Sequence, residues 1–104
     1  MTILNITNKQ IARDQLRFFS STRMCLRCRT PAGKVEEVSV NYYQRVGSGK
    51  ILLRSVINRE EFGIAKYISD EEFENRPFDH SNNYKEFCWA TRQLGFEPES
   101  IEDE

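Results

Sequence analysis

Between Arg23 and Ile68 the apolar residues recur at every second position, and this period most narrows what the chain can fold into. A period of two matches a pleated strand, whose side chains alternate between faces, and not a helix. Met24, Leu26 and Cys28 share one face, while Arg23, Cys25, Arg27 and Arg29 share the other. Thr30-Pro31-Ala32-Gly33-Lys34 then reads as a turn, because proline presets φ and glycine tolerates φ > 0. Val38, Val40 and Tyr42 resume the alternation, placing a partner strand over 35–46, and Gly47-Ser48-Gly49 forms the next turn. Ile51, Leu53, Ser55 and Ile57 mark a third strand. After the polar break at Asn58-Arg59-Glu60-Glu61, the spacing of Phe62, Ile64, Lys66 and Ile68 marks a fourth. Turns this short join neighbouring antiparallel strands, so the expected core is a four-stranded meander.

Helical spacing flanks this block. Thr7 and Gln10 fit a capping box, and Ile11, Gln15 and Phe18 with Ala12, Leu16 and Phe19 give a stripe of period 3.6. The spacing predicts a helix over 8–19, with a strand beginning at Phe18-Phe19 as the alternative. Ser69-Asp70-Glu71-Glu72 is a second capping box with acids in the first turn, where the helix dipole favours them. Pro77 limits that helix to about two turns. Ser81 is the expected cap of a last helix whose stripe is Tyr84, Phe87, Cys88, Thr91 and Leu94, with Gly95 closing it. The expected fold is therefore α+β: an N-terminal helix, four antiparallel strands, and two C-terminal helices packed on one sheet face. At 104 residues the chain holds one domain, expected over 1–96. Residues 97–104, with five acids among eight positions, are expected to form a flexible tail.

Aromatic residues at 12% offset a modest 38% hydrophobic content and set the chain apart from disordered types. No apolar run approaches the roughly 20 residues of a membrane span, so no membrane association is expected. Three cysteines, an odd number without an export signal, point to a reducing, cytoplasmic compartment.

The net charge of −1 hides a partition. Through residue 57 ten Lys or Arg meet three acids, a local +7; from residue 58 five meet thirteen, a local −8. Either the halves pair with each other across the fold, or they present two charged surfaces. The acidic half offers Glu71, Glu72 and Glu74, with Phe78 and Trp89 as apolar anchors, a combination suited to docking on a basic groove of another protein. The basic half offers Arg23, Arg27, Arg29, Arg45 and Arg54 with Tyr43, a set suited to phosphate contact and base stacking on an open sheet face.

Motifs with chemistry are sparse. Cys25-Leu26-Arg27-Cys28 has the spacing of a zinc knuckle, and His80 with Cys88 would complete a four-ligand set. The alternation sends Cys25 and Cys28 to opposite faces, and Cys88 falls on an apolar stripe, so no metal or other cofactor is expected. Gly47-Ser48-Gly49-Lys50 resembles the end of a phosphate loop, but Gln44 stands where the upstream glycine belongs and Ile51 where Ser or Thr follows the lysine. It reads as a hairpin turn. Asp79-His80-Ser81 holds the one histidine, and adjacent residues do not assemble a triad. The chain is therefore expected to be a small non-enzymatic binding protein, an inhibitor or modulator that engages another protein through the acidic and aromatic residues. A nucleic-acid-binding module built on the arginines is the alternative, and a small enzyme using His80 or Cys88 the third reading.

Overall fold

The computed structural model describes residues 3–58, 60–78 and 81–99. Its frame is one antiparallel sheet of seven strands. These are β1 (Leu4–Thr7), β2 (Arg17–Ser21), β3 (Leu26–Arg29), β4 (Val35–Gln44), β5 (Lys50–Ile57), β6 (Phe62–Ser69) and β7 (Glu97–Pro98). Three short helices complete it: α1 (Asn8–Arg13), α2 (Asp70–Glu74) and α3 (Tyr84–Gln93). Along the sheet the order is β1-β6-β5-β4-β3-β7, and β2 also pairs with β4. This corrects the expected N-terminal helix, four-strand meander and two C-terminal helices. The protein is mostly sheet, and the meander is only its middle.

The first correction lies at the N-terminus. Thr7 and Gln10 do form a capping box, with the Gln10 amide donating to Thr7 Oγ1 at 3.2 Å and the Thr7 amide to Gln10 Oε1 at 2.9 Å. The helix then stops after six residues instead of running to 19. Gln15 takes the left-handed conformation (φ 61°), its amide donates to the Ala12 carbonyl, and the Leu16 amide donates to the Ile11 carbonyl. That is a Schellman close, in which Ile11 and Leu16 pack on each other beyond the last turn. Ile11 and Leu16 are thus joined by a helix end and not by a continuing stripe, and Phe18 and Phe19 belong to β2. Ahead of the helix, β1 pairs with β6 (Leu4 with Ala65, Ile6 with Gly63).

The second correction concerns the sheet faces. Val38, Val40 and Tyr42 of β4, Ile51 and Leu53 of β5 and Ile68 of β6 pack with Phe73 of α2 and Phe87, Ala90 and Leu94 of α3. Tyr43, Leu52, Ala65 and Ile6 point the other way and are covered by Ile11 and Leu16 at α1. The helices therefore lie on both faces, because the sheet's second face is also partly apolar and must be covered.

The remaining ends follow local chemistry. Ser69 caps α2 as expected, its Oγ accepting from the Glu72 amide at 3.0 Å while Glu72 Oε1 accepts from the Ser69 amide at 3.2 Å. At α3 the cap is Asn83, not Ser81, and its side chain makes no capping bond. Asn82 Oδ1 instead accepts from the Tyr84 amide at 2.8 Å. Gly95 (φ 87°) closes α3 with a second Schellman motif, the Phe96 amide donating to the Thr91 carbonyl at 3.0 Å. That turn feeds Glu97–Pro98 onto β3, so the sheet takes up the first residues of the segment expected to be a tail. Residues 100–104 lie outside the described residues. The chain is compact, with a radius of gyration of 13.3 Å, close to the roughly 13 Å of a single domain of this length. Among the described residues no helix is long and apolar enough to cross a membrane.

Gly63 holds a close approach. A Cβ there would sit 2.6 Å from Arg54 Nε and 2.6 Å from the Ser55 carbonyl oxygen. Arg54 is buried on that sheet face, and one of its terminal nitrogens donates to the Glu61 carbonyl at 2.6 Å. Gly63→Ala should therefore destabilise the protein by about 1–3 kcal/mol, the scale of overpacking. The melting temperature should fall by roughly 4–8 °C for each kcal/mol in a domain of this size. An unchanged or higher melting temperature, as glycine replacement gives where space is free, would contradict this packing.

Candidate functional site

Strand β2 is the most exposed strand of the sheet. Among the described residues it pairs only with β4, through Arg17 with Gln44, Phe18 with Tyr43, Ser20 with Tyr42 and Ser21 with Asn41. Its other edge leaves backbone N–H and C=O groups free of a neighbouring strand. The register shifts between Phe18 and Ser20, so Phe19 sits in a bulge. A bulge re-aims side chains, and here two adjacent phenylalanines serve the two faces. Phe18 meets Tyr43 edge-on with centroids 6.0 Å apart, and Phe19 meets Phe73 of α2 edge-on at 5.6 Å. Both remain open to solvent, at 57% and 44% exposure.

Helix α2 borders this edge. Phe73 is buried between Phe19 and Tyr42, the latter ring 4.9 Å away. The Arg76 guanidinium lies 4.0 Å over the Phe73 ring and 5.9 Å from the exposed Phe78 ring. Phe19, Phe73, Arg76 and Phe78 thus form one continuous stack. Glu71 and Glu74 project from α2 into solvent, and among the described residues neither forms an ion pair. Glu72 is also exposed, but its carboxylate is engaged in the cap of α2.

Beneath the stack is a buried polar bridge. Arg76 Nε donates to Glu86 Oε2 at 2.9 Å, and the Tyr42 hydroxyl donates to the same oxygen at 2.6 Å. Arg76 also donates to the Phe73 carbonyl at 3.0 Å. Glu86 is 6% exposed, so its charge would be costly without these donors. Burial, and next the bond to Glu86, push the Tyr42 phenol well above its ordinary range. A polar depression of about 340 Å3 opens beside the bridge, lined among others by Ser20, Ser21, Arg23, Arg76 and Asn83.

The structure brings together only part of the acidic and aromatic set. Glu71, Glu72, Glu74 and Phe78 gather at α2 and the segment after it, whereas Trp89 lies on α3 in a separate groove beside Lys66, Lys85 and Arg92. Phe18 and Phe19, exposed on this edge, stand in neither candidate site set; of the two readings of that segment, the strand beginning at Phe18-Phe19 holds and the helical stripe over 8–19 does not.

The arginines do not form one surface. Arg27 and Arg29 stand exposed on β3, Arg27 with its Nε 3.7 Å from Glu99 Oε1 and Arg29 donating to the Gly33 carbonyl. Arg23 occupies the left-handed break between β2 and β3 (φ 58°). Arg45 lies beyond the end of β4 with Gly47, Ser48 and Tyr67. Arg54 and Tyr43 are buried, at 5% and 8% exposure. Of the ion pairs among the described residues, only Arg27 with Glu99 joins the basic and acidic halves; Arg76 with Glu86 and Arg92 with Glu97 lie within the second half.

The cysteines separate as alternation requires. Cys25 is exposed, Cys28 is in the core, and Cys88 is buried on α3; all are free thiols. His80 lies outside the described residues. Burial, then the nearby Cys88, pushes the Cys28 thiol up to about 12. Comparison with family models, curated proteins and solved structures gives no match.

Cys28 and Tyr42 set an alkaline limit on stability. Both hold their proton more tightly folded than unfolded, so each contributes stability that is complete below its unfolded value and lost as pH rises. For Cys28 the window runs from 9.0 to about 12, and Tyr42 acts in the same direction from the ordinary phenol value of about 10 upward. Urea midpoints should hold steady up to about pH 9 and then fall. In a Cys28→Ala, Tyr42→Phe double variant the fall should be shallower, from a starting stability lower by about 2–4 kcal/mol for the lost packing and the charge-assisted hydrogen bond. Equal alkaline slopes in the two proteins would show that neither group is buried as described.

Proposed function

We propose that the protein is a small non-enzymatic binding protein, an inhibitor or modulator that engages another protein along the β2 edge and the acidic, aromatic surface of α2. The free edge of β2 with two exposed phenylalanines carries this reading. An unpaired strand edge offers alternating backbone donors and acceptors, which another polypeptide can match and a nucleic acid cannot. A partner laid along that edge meets Phe18 on one face and Phe19 on the other. Phe78 extends the apolar surface, and aromatic side chains supply most of the energy of such contacts. Glu71 and Glu74 beside the edge favour a partner whose rim is basic and hasten its approach. They also repel phosphate, which favours protein over nucleic acid at this site. The three free thiols, two of them buried, suit a reducing, cytoplasmic setting.

The test is affinity capture from native-cell extract, with and without nuclease, followed by kinetics with the purified partner. A protein should be retained after nuclease treatment and lost with Phe18→Lys, Phe19→Lys, charges that blunt a strand edge. Glu71→Gln, Glu74→Gln should slow association several-fold at low salt and little at high salt. Retention that disappears with nuclease, or a partner held in full by the edge variant, would overturn the reading.

A further inference from the structure

The groove that holds Trp89 is a different surface with the opposite charge. It has a volume of about 650 Å3 and is lined by Lys66, Pro77, Tyr84, Lys85, Cys88, Trp89, Arg92 and Gln93. Three of these are cations and none is an acid. This is notable because they come from the half of the chain that carries −8 overall.

Lys66 is the informative residue. It sits on β6 opposite Leu53 of β5, on the sheet face that packs against α3, and is half-buried. Its Nζ donates to the neutral Gln93 Oε1 at 2.7 Å, and among the described residues no carboxylate pairs with it. An anion placed beside it would supply the counter-charge, and the charge-assisted hydrogen bond, that the neutral Gln93 does not. Lys85 is exposed and likewise without an ion pair among the described residues. Trp89 packs partly on the core and leaves the rest of its ring to the groove.

We infer that this groove docks an acidic segment of another polypeptide, with an apolar side chain on Trp89 and carboxylates at Lys66, Lys85 and Arg92. The spacing suits an extended peptide. Lys85 and Arg92 are about 10 Å apart along the helix axis, at 1.5 Å per residue, and Trp89 lies about 6 Å from the Lys85 end. Side chains of an extended peptide alternate between faces at about 3.3 Å per residue, so an acid, an apolar residue two positions on and an acid four positions on share one face and would meet them in turn, the long Arg92 side chain reaching back to the last. A phosphate chain fits less well, because it carries charge at every unit and would set some of it against Glu97, whose carboxylate lies 3.3 Å from Arg92, whereas a peptide places its acids only at the cations. The site shares no residue with the β2 edge, so each stands or falls separately.

Trp89 is the only tryptophan in the chain, so its fluorescence reports the groove directly. The probe is a capped Gly-Asp-Ala-Leu-Ala-Glu-Gly peptide, titrated alongside the same peptide with Lys in place of its acids and alongside a short oligothymidylate. The acidic peptide should give a saturable emission change that weakens with salt. Lys85→Glu, Arg92→Glu, both at exposed positions, should weaken it roughly tenfold or more. Phe18→Lys, Phe19→Lys should leave it unchanged. The inference fails if the acidic peptide gives no saturable change, if the basic peptide matches it, or if the oligonucleotide binds more tightly.

Discussion

The fold depends on what β4 is asked to pair with. One edge of this ten-residue strand is matched by β5 from Val38 to Gln44. The other edge is divided, with β3 opposite Val35–Val38 and β2 opposite Asn41–Gln44. Between Ser21 and Leu26 the chain advances five residues while β4 advances three, from Val38 to Asn41. The surplus is absorbed where Arg23 takes a left-handed conformation and Thr22 turns inward, its amide donating to the Val40 carbonyl at 3.0 Å. The break lets β3 go on to pair with β7 while β2 does not. The exposed edge is therefore a consequence of how β4 is shared.

Glu86 ties that edge to the helices. Its carboxylate collects Tyr42 from the sheet and Arg76 from the segment after α2, and it belongs to the first turn of α3. Arg76 in turn stacks on Phe73, which packs against Phe19. A buried pair of this kind is a weak source of net stability, since desolvation offsets most of the attraction. Its geometric effect is stronger. Removing Glu86 would leave the buried Tyr42 hydroxyl unmatched, and removing Tyr42 or Arg76 would leave the buried Glu86 carboxylate with one donor of its two, so β2, α2 and α3 are held in one arrangement.

The charge partition takes a different meaning in three dimensions. The two halves do not neutralise each other, since a single ion pair among the described residues links them. Nor does each half form one surface. The acids of α2 flank the β2 edge, while cations of the same half gather around Trp89. The arginines of the first half are dispersed, with Arg54 drawn under the sheet by the space at Gly63. A composition difference between segments thus became two local surfaces of opposite sign, each with exposed aromatic area.

Where a structural feature follows from neighbours within about four residues, the amino-acid order alone determined it. The alternation at Val38, Val40 and Tyr42, the turn at Thr30–Lys34, the caps at Thr7 and Ser69 and the helix end at Gly95 are of this kind. Each rests on a backbone preference or a bond to a near residue. The two Schellman ends show the limit. Gly95 announces its left-handed turn, whereas Gln15 makes the same turn with a residue that does not favour it, held there by packing of Ile11 and Leu16 under the sheet. Only the tertiary structure decided that β1 and β7 join the sheet, that helices cover both faces, and that Phe18 and Phe19 stay exposed while Arg54 and Tyr43 are buried. These outcomes are set by which distant strands compete for the two edges of β4 and the two faces of the sheet, a choice made by burial and pairing across the whole chain.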